Sequence, residues 1–289
     1  MSTTTTTASP AHHVPARASA TVRELALVDA KRFARHPLFV IGVTATAILT
    51  VPIARLRDPS PIMWTVLAAL LIGVLGFVVA HRLTTALRRS DEVVDSLPSS
   101  ERRRTVALCL ACVVPLVAGT LCTIEFVVLT ELFPPRPIPA DAPVTWFGDP
   151  STTWLPVAAT LIALGPVAFL GGPLLGVAVA RWAPFRGSAL LGSVLLVLGC
   201  AFPAESALPW RALPPWGAIF DEHVTDNQVS SSTFIPGLSE VWYLAYVLLL
   251  CSLAVVAALL HDRHNRRPLL WTGAALAVAA AGAFALTVT

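Results

Sequence analysis

Glu125 stands inside an apolar run, LCTIEFVVLTELF over 121–133, and the next charge along the chain is Glu131. A carboxylate surrounded by hydrocarbon costs several kcal/mol unless it is paired or hydrated, so residues of this kind mark substrate or proton paths. Glu131 lies about 9 Å farther along a helix axis at 1.5 Å per residue and reads as interfacial. Glu125 is a substrate-path candidate, with a packing role equally open. His81 and His261 sit at the ends of apolar blocks and could be haem ligands, but no second histidine pair accompanies them. His264 belongs to the basic loop HDRHNRRP (261–268), and His12 and His13 belong to a polar tail. Cys109 and Cys112 form a CxxC, a spacing that serves metal or redox chemistry when a second ligand cluster is present. None is present. The acidic stretch FDEHVTD (220–226) reads as a solvated loop.

Larger catalytic signatures are missing. The chain contains no HExxH, no GxSxG nucleophile elbow, no GxxxxGK[ST] phosphate loop and no paired carboxylates within an apolar block. It has no means of its own to bind and hydrolyse ATP, and the sequence implies no catalytic, cofactor or metal site on this chain.

The elements that would position these residues belong to a membrane protein. Hydrophobic residues make up 55% and charged residues 13% of the chain, about half the charge of a soluble domain. The mean hydropathy is +0.73. Apolar blocks of spanning length lie at about 38–54, 62–80, 105–131, 154–180, 187–203, 241–260 and 269–288. A helix needs roughly 17–25 residues to cross about 30 Å of hydrocarbon, which leaves the first and fifth blocks at the short limit. With a cytoplasmic N-terminus, sixteen of the twenty Lys and Arg residues fall on cytoplasmic segments and four, Arg55, Arg57, Arg136 and Arg211, outside. Basic residues favour the cytoplasmic face, so seven spans and this orientation support each other. The net charge of +3 follows from the same clusters. It needs anionic membrane lipids as counter-charge and no nucleic acid. All five cysteines lie in apolar blocks and read as small core residues. Lys31 is the one lysine, a usage that fits a high-GC bacterial genome.

Between the blocks, local signals set the organisation. Residues 1–21 are rich in Thr, Ala, Ser and Pro without an apolar core, so they read as a disordered cytoplasmic tail and not a signal peptide. Residues 22–36 place Leu25, Val28, Arg32 and Arg35 at helical spacing, an amphipathic helix for the headgroup region. Pro37 separates it from the first span. In the loop 81–104, Ser90 is a candidate N-cap with Asp91 and Glu92 in the first turn, and Pro98 stops the helix near Leu97. That short helix would expose Val93, Val94 and Leu97. The external segment 133–154 is Pro-rich. The longer one, 204–240, contains LPPWGAIF (213–220), read as a short interfacial or re-entrant helix with Trp210, Trp216 and Trp242 at headgroup depth. In the fourth block, ALGPVAFLGGPLLG (163–176), Pro166 and Pro173 predict a kinked or broken helix.

Taken in order, these features resemble the permease subunits of ABC-2-type transporters. FARHPLF (33–39) is similar to that family's basic stretch before the first span, and SDEVVDSLPSSERRRTVALCLA (90–111) is similar to its first cytoplasmic loop. The similarity covers residues 22–260 and rests on topology more than on any single motif. It implies an all-α, polytopic transmembrane helix bundle with a six-helix ABC-2-type core at 38–260 and a seventh span at 269–288 beyond the family's usual six. It further implies an elbow helix at 22–36 and a coupling helix carrying Asp91, Glu92, Val93, Val94, Asp95 and Leu97, which docks on a separate ABC ATP-binding subunit. ATP and Mg are then held by that partner, with no cofactor on this chain. A second permease copy completes the path, lined by the second and fifth spans, and the assembly sits in the bacterial cytoplasmic membrane as an exporter.

Two other classes fit the same topology. One is an integral membrane enzyme acting on lipid-linked substrates through Glu125 and Asp221, Glu222 and His223. The other is a membrane anchor or sensor subunit that transports nothing.

Overall fold

The computed structural model describes residues 22–55, 63–94, 101–133, 154–201, 210–214, 221–225, 228–232, 238–262 and 266–289. Prolines and block lengths account for most of the helix boundaries. Helix α1 (Val22–Ala34) and helix α2 (Pro37–Arg55) meet at a 59° bend. Pro37 occupies the first helical position of α2, where its missing N–H costs nothing, and His36 caps that helix by accepting the Leu38 N–H at Nδ1, 3.3 Å away. Phe33 and Phe39 pack edge to face across the bend at 5.1 Å. A helix thus covers most of 22–36, with Phe33 and Asp29 buried and Leu27 and Val28 left exposed.

Helix α3 (Met63–Val94) is a single helix of 32 residues. The sequence places a new helix start at Ser90. In the structure Ser90 lies inside α3, and the first half of the expected coupling helix continues the second span without a break. Asp91 and Glu92 favour helix initiation, but Leu87 to Val94 contains no Pro or Gly to stop a helix already running. Asp95, Leu97 and Pro98 lie outside the described residues.

The third block divides into α4 (Glu101–Ala111) and α5 (Val113–Leu132) at Cys112. Pro115 explains the break, because it can donate no backbone hydrogen bond to Ala111. The fourth block was expected to kink or break. It runs as α6 (Trp154–Ile162), a π turn (Ala163–Val167) that interrupts the regular α-helix at Pro166, and α7 (Ala168–Trp182). The π turn absorbs Pro166, and helicity resumes with the Ala168 N–H bonded to the Ala163 carbonyl five residues back. Pro173 is accommodated inside α7.

Helix α8 (Ser188–Ala201) has 14 residues, about 21 Å at 1.5 Å per residue. Helices α9 (Glu240–Leu260) and α10 (Arg266–Val288) complete the chain. By length and composition five helical segments can cross a membrane, or six when the bent α1–α2 pair is taken as one span. The fifth block, α8, falls short of that length, so the expected count of seven is reduced. The chain is nonetheless a multi-pass helical membrane protein, and each of the seven apolar blocks is helical, the third and fourth being divided between two helices each.

The segment between α8 and α9 adds one two-stranded ribbon to the helices. Strands β1 (Asp221–Thr225) and β2 (Gln228–Ser232) pair antiparallel, with Asp221 opposite Ser232 and Thr225 opposite Gln228. The stretch 220–226, expected as a solvated loop, supplies the first strand. Of the expected re-entrant helix at 213–220, residues 215–220 lie outside the described residues. A short 3-10 turn (Trp210–Ala212) precedes it. The Tyr246 and Tyr243 hydroxyls tie this turn to α9 by donating to the Leu213 and Pro214 carbonyls, at 2.8 and 3.2 Å.

Helices α3 and α7 pack most extensively. Gly172 and Gly176 on α7 are spaced as GxxxG, and a Cβ on them would collide with the carbonyls of Gly73 and Phe77 on α3. Small residues at this interval let two helix backbones meet where no hydrophobic effect drives association. Helix α10 packs chiefly along α9, and much of its surface is exposed.

Candidate functional site

The residues with chemical capability gather at one end of the bundle, where α3 runs on toward Val94, α4 begins, α7 and α9 end and α8 begins. Basic side chains concentrate there because the sequence excludes them from the apolar blocks.

Glu101 opens α4 and Arg181 closes α7, the ends at which helix dipoles favour an anion and a cation respectively. Arg181 is only 3% exposed, and its Nη1 donates to Glu101 Oε1 at 2.5 Å. The same carboxylate oxygen lies 3.6 Å from His261 Nδ1, at the end of α9. Trp182 packs edge-on to the His261 ring at 5.8 Å and donates its indole N–H to the Ala257 carbonyl at 2.8 Å. Glu101 thus joins the third, fourth and sixth apolar blocks. It also begins the first described segment after the 95–100 connection, so it anchors the far end of the polar loop.

The near end of that loop is α3 itself. His81 Nε2 and Ser188 Oγ stand 2.7 Å apart, and Ser188 donates its one proton to the Phe185 carbonyl at 2.8 Å. Ser188 must therefore accept from His81, which assigns the Nε2–H tautomer. This bond fastens the start of α8 to α3. The approach to α8 turns at Gly187, whose φ of +94° suits glycine and strains any other residue.

Between α3 and α8 lies a cavity of about 780 Å³, lined on one side by His81, Arg82 and Thr85 and on the other by Arg186, Gly187 and Ser193. A second cavity of about 370 Å³ lies farther along α8, between it, α7 and Phe77 of α3, and is lined by apolar residues including Val179, Leu195 and Leu196.

The sequence candidates separate accordingly. Asp91, Glu92, Val93 and Val94 are the last residues of α3. Glu125 is half-buried on α5 and is not among the residues lining either of these two cavities. Asp221, Glu222 and His223 lie on β1. All five cysteines are free thiols, and Cys112 bonds back to the Leu108 carbonyl. His81 and His261 engage different partners. Among the described residues no group of three His, Cys, Asp or Glu side chains could hold a metal ion.

Sequence reasoning passed over Arg181, Glu101 and Ser188. Arg181 carried a signal, being the single charged residue of the helical segment 154–182. The partners of Glu101 and Ser188 come from 80 and 107 residues away, and no local pattern announces them. Comparison of the chain with protein-family models, with curated proteins and with solved structures found no match to any of them.

Proposed function

We propose that the chain is the membrane-spanning permease subunit of an ATP-driven ABC transporter of the ABC-2 type, an exporter working with a separate ATP-binding subunit and a second permease copy. In this reading α1 is the elbow, α2 to α9 carry the six-span core, α10 is an added helix, and the N-terminus lies on the cytoplasmic side of a bacterial membrane. ATP and Mg bind the partner, and this chain converts the partner's motion into rearrangement of its helices.

The observation that carries the reading is the unbroken course of α3. Its 32 residues measure about 48 Å at 1.5 Å per residue, more than the roughly 30 Å of hydrocarbon. The excess carries Asp91 to Val94 beyond the apolar section, while His81 and Arg82 on the same helix border the cavity shared with α8. A push at the tip of one rigid helix is delivered at that cavity. Glu101 supports the reading from the other end of the loop, because its bond to Arg181 and its contact with His261 pass displacement on to α7 and α9.

Copurification tests it. The full chain, solubilised in detergent from its native host, is expected to bring down an ATP-binding-cassette subunit. Val94→Asp and Leu97→Asp are expected to lose that subunit while keeping the chain folded and in the membrane. Equal recovery with both variants overturns the docking assignment, and absence of any ATP-binding subunit from the wild-type preparation overturns the transporter reading.

A further inference from the structure

The cavity between α3 and α8 has a lining of one electrostatic sign. Arg82 comes from α3 and Arg186 from the turn before α8; Thr85 and Ser193 add hydroxyls, and no lining residue is acidic. Neither arginine has an ion-pair partner among the described residues. Arg82 and Arg186 border one cavity from opposite walls, so an anion held between them is attracted by both. Guanidinium matches phosphate oxygens in charge and in fork geometry.

Two further features point the same way. The first turn of α8 lines the cavity with Ala189 and Leu190, and a helix start offers backbone N–H groups without intrahelical acceptors. The His81–Ser188 bond holds that turn against α3, so it ties one cavity wall to the other. The volume of about 780 Å³ falls in the range that takes a small organic ligand. Leu190 on the rim is 70% exposed, and Leu191, Val194, Leu195 and Leu198 continue exposed along α8. A ligand with its anionic end at the arginines can lay a hydrocarbon tail along that helix.

We propose that this cavity is a binding site for a phosphate ester, with Arg82 and Arg186 as its cationic ligands. The shared chemistry is one phosphate group, carried either by the headgroup of an anionic phospholipid or by a soluble organic phosphate. Binding needs no ATPase, so this inference and the transporter reading stand or fall separately.

The full chain, purified in detergent, is titrated with phosphatidylglycerol, with phosphatidylcholine and with glycerol 3-phosphate, and retention is read by native mass spectrometry. The expected result is preferential retention of phosphatidylglycerol, weakened about tenfold or more by R82Q/R186Q, since a charge-assisted bond contributes about 1.5–3 kcal/mol. R102Q, which removes a nearby cation outside the cavity, is expected to leave retention unchanged. Retention of glycerol 3-phosphate instead, with the same arginine dependence, assigns the site to a soluble ester and still supports it. Arginine-independent retention, an equal loss in R102Q, or no binding of either phosphate overturns the proposal. Both arginines are surface residues, and the single variants R82Q and R186Q keep the comparison readable if the double variant does not fold.

Discussion

Arg181 Nη1 meets Glu101 Oε1 at 2.5 Å, joining the last turn of α7 to the first turn of α4. The two ends differ in environment: the arginine side chain is buried, whereas the carboxylate is about half exposed. A pair of this kind is anchored by the buried partner, which has lost its water and depends on the protein for compensation. Glu101 is the replaceable half.

Glu101→Gln is therefore expected to lower stability by about 1–2 kcal/mol, between the small value of an exposed pair and the full value of a buried charge-assisted bond. Denaturant unfolding in detergent measures it. A double-mutant cycle with Arg181→Gln should give a coupling energy of about 1 kcal/mol or more. A coupling near zero means that the contact holds nothing together.

The His81–Ser188 bond yields a second prediction. Ser188→Ala removes both the acceptor for His81 Nε2–H and the donor to the Phe185 carbonyl, leaving a buried histidine N–H without this partner. A loss of about 1–3 kcal/mol is expected, with faster hydrogen exchange concentrated in the first two turns of α8. Unchanged exchange there would show that α8 is held by other contacts.

Much of the helical framework was legible because its cause is local. Apolar blocks, the proline at Pro37 and the glycines of 163–176 act within a few residues, and the structure places helices on every block. What misled was competition between local signals. Ser90, Asp91 and Glu92 resemble a helix start, yet nothing before them ends α3, and Pro166 reads as a breaker, yet a π turn takes up the missing hydrogen bond. The arrangement at the Arg-rich end was not legible. Glu101, Arg181 and His261 flank three separate blocks, and only helix packing brings Arg181 and His261 within 4 Å of one Glu101 oxygen. The cavity of Arg82 and Arg186 is hidden for the same reason, since each arginine alone is one of sixteen basic residues assigned to a single face.

His36 supplies a pH dependence. Burial, and secondarily the positive charge of Arg82, push its imidazole below the usual histidine range, and its Nδ1 must be unprotonated to accept the Leu38 N–H. The unfolded chain therefore takes up the proton first as pH falls. The contribution is complete above the unfolded value of about 6.5 and is lost as pH drops through the lower folded value. His36→Asn places a carbonyl oxygen near the Nδ1 position and does not titrate. Thermal unfolding from pH 8 to pH 5 should fall less steeply in this variant than in the wild type. Parallel curves would assign the acid sensitivity elsewhere.

The α3–α7 contact gives the sharpest contrast, because two glycines of the same chain predict opposite signs. A methyl group on Gly176 meets the backbone carbonyl of Phe77, which cannot rotate away as a side chain would, so α7 must separate from α3. Gly176→Ala is expected to cost about 1–3 kcal/mol, the range for overpacking a tight contact. A methyl group on Gly199 of α8 meets nothing within 4 Å, and there alanine gains helix propensity of up to about 1 kcal/mol. Gly199→Ala is expected to be neutral or stabilising. Both variants, unfolded side by side in one detergent, test whether the α3 helix is clamped to α7 along its length. If Gly176→Ala proves as benign as Gly199→Ala, α3 is free to move independently of α7, and displacement at its tip reaches α8 without carrying the fourth block with it.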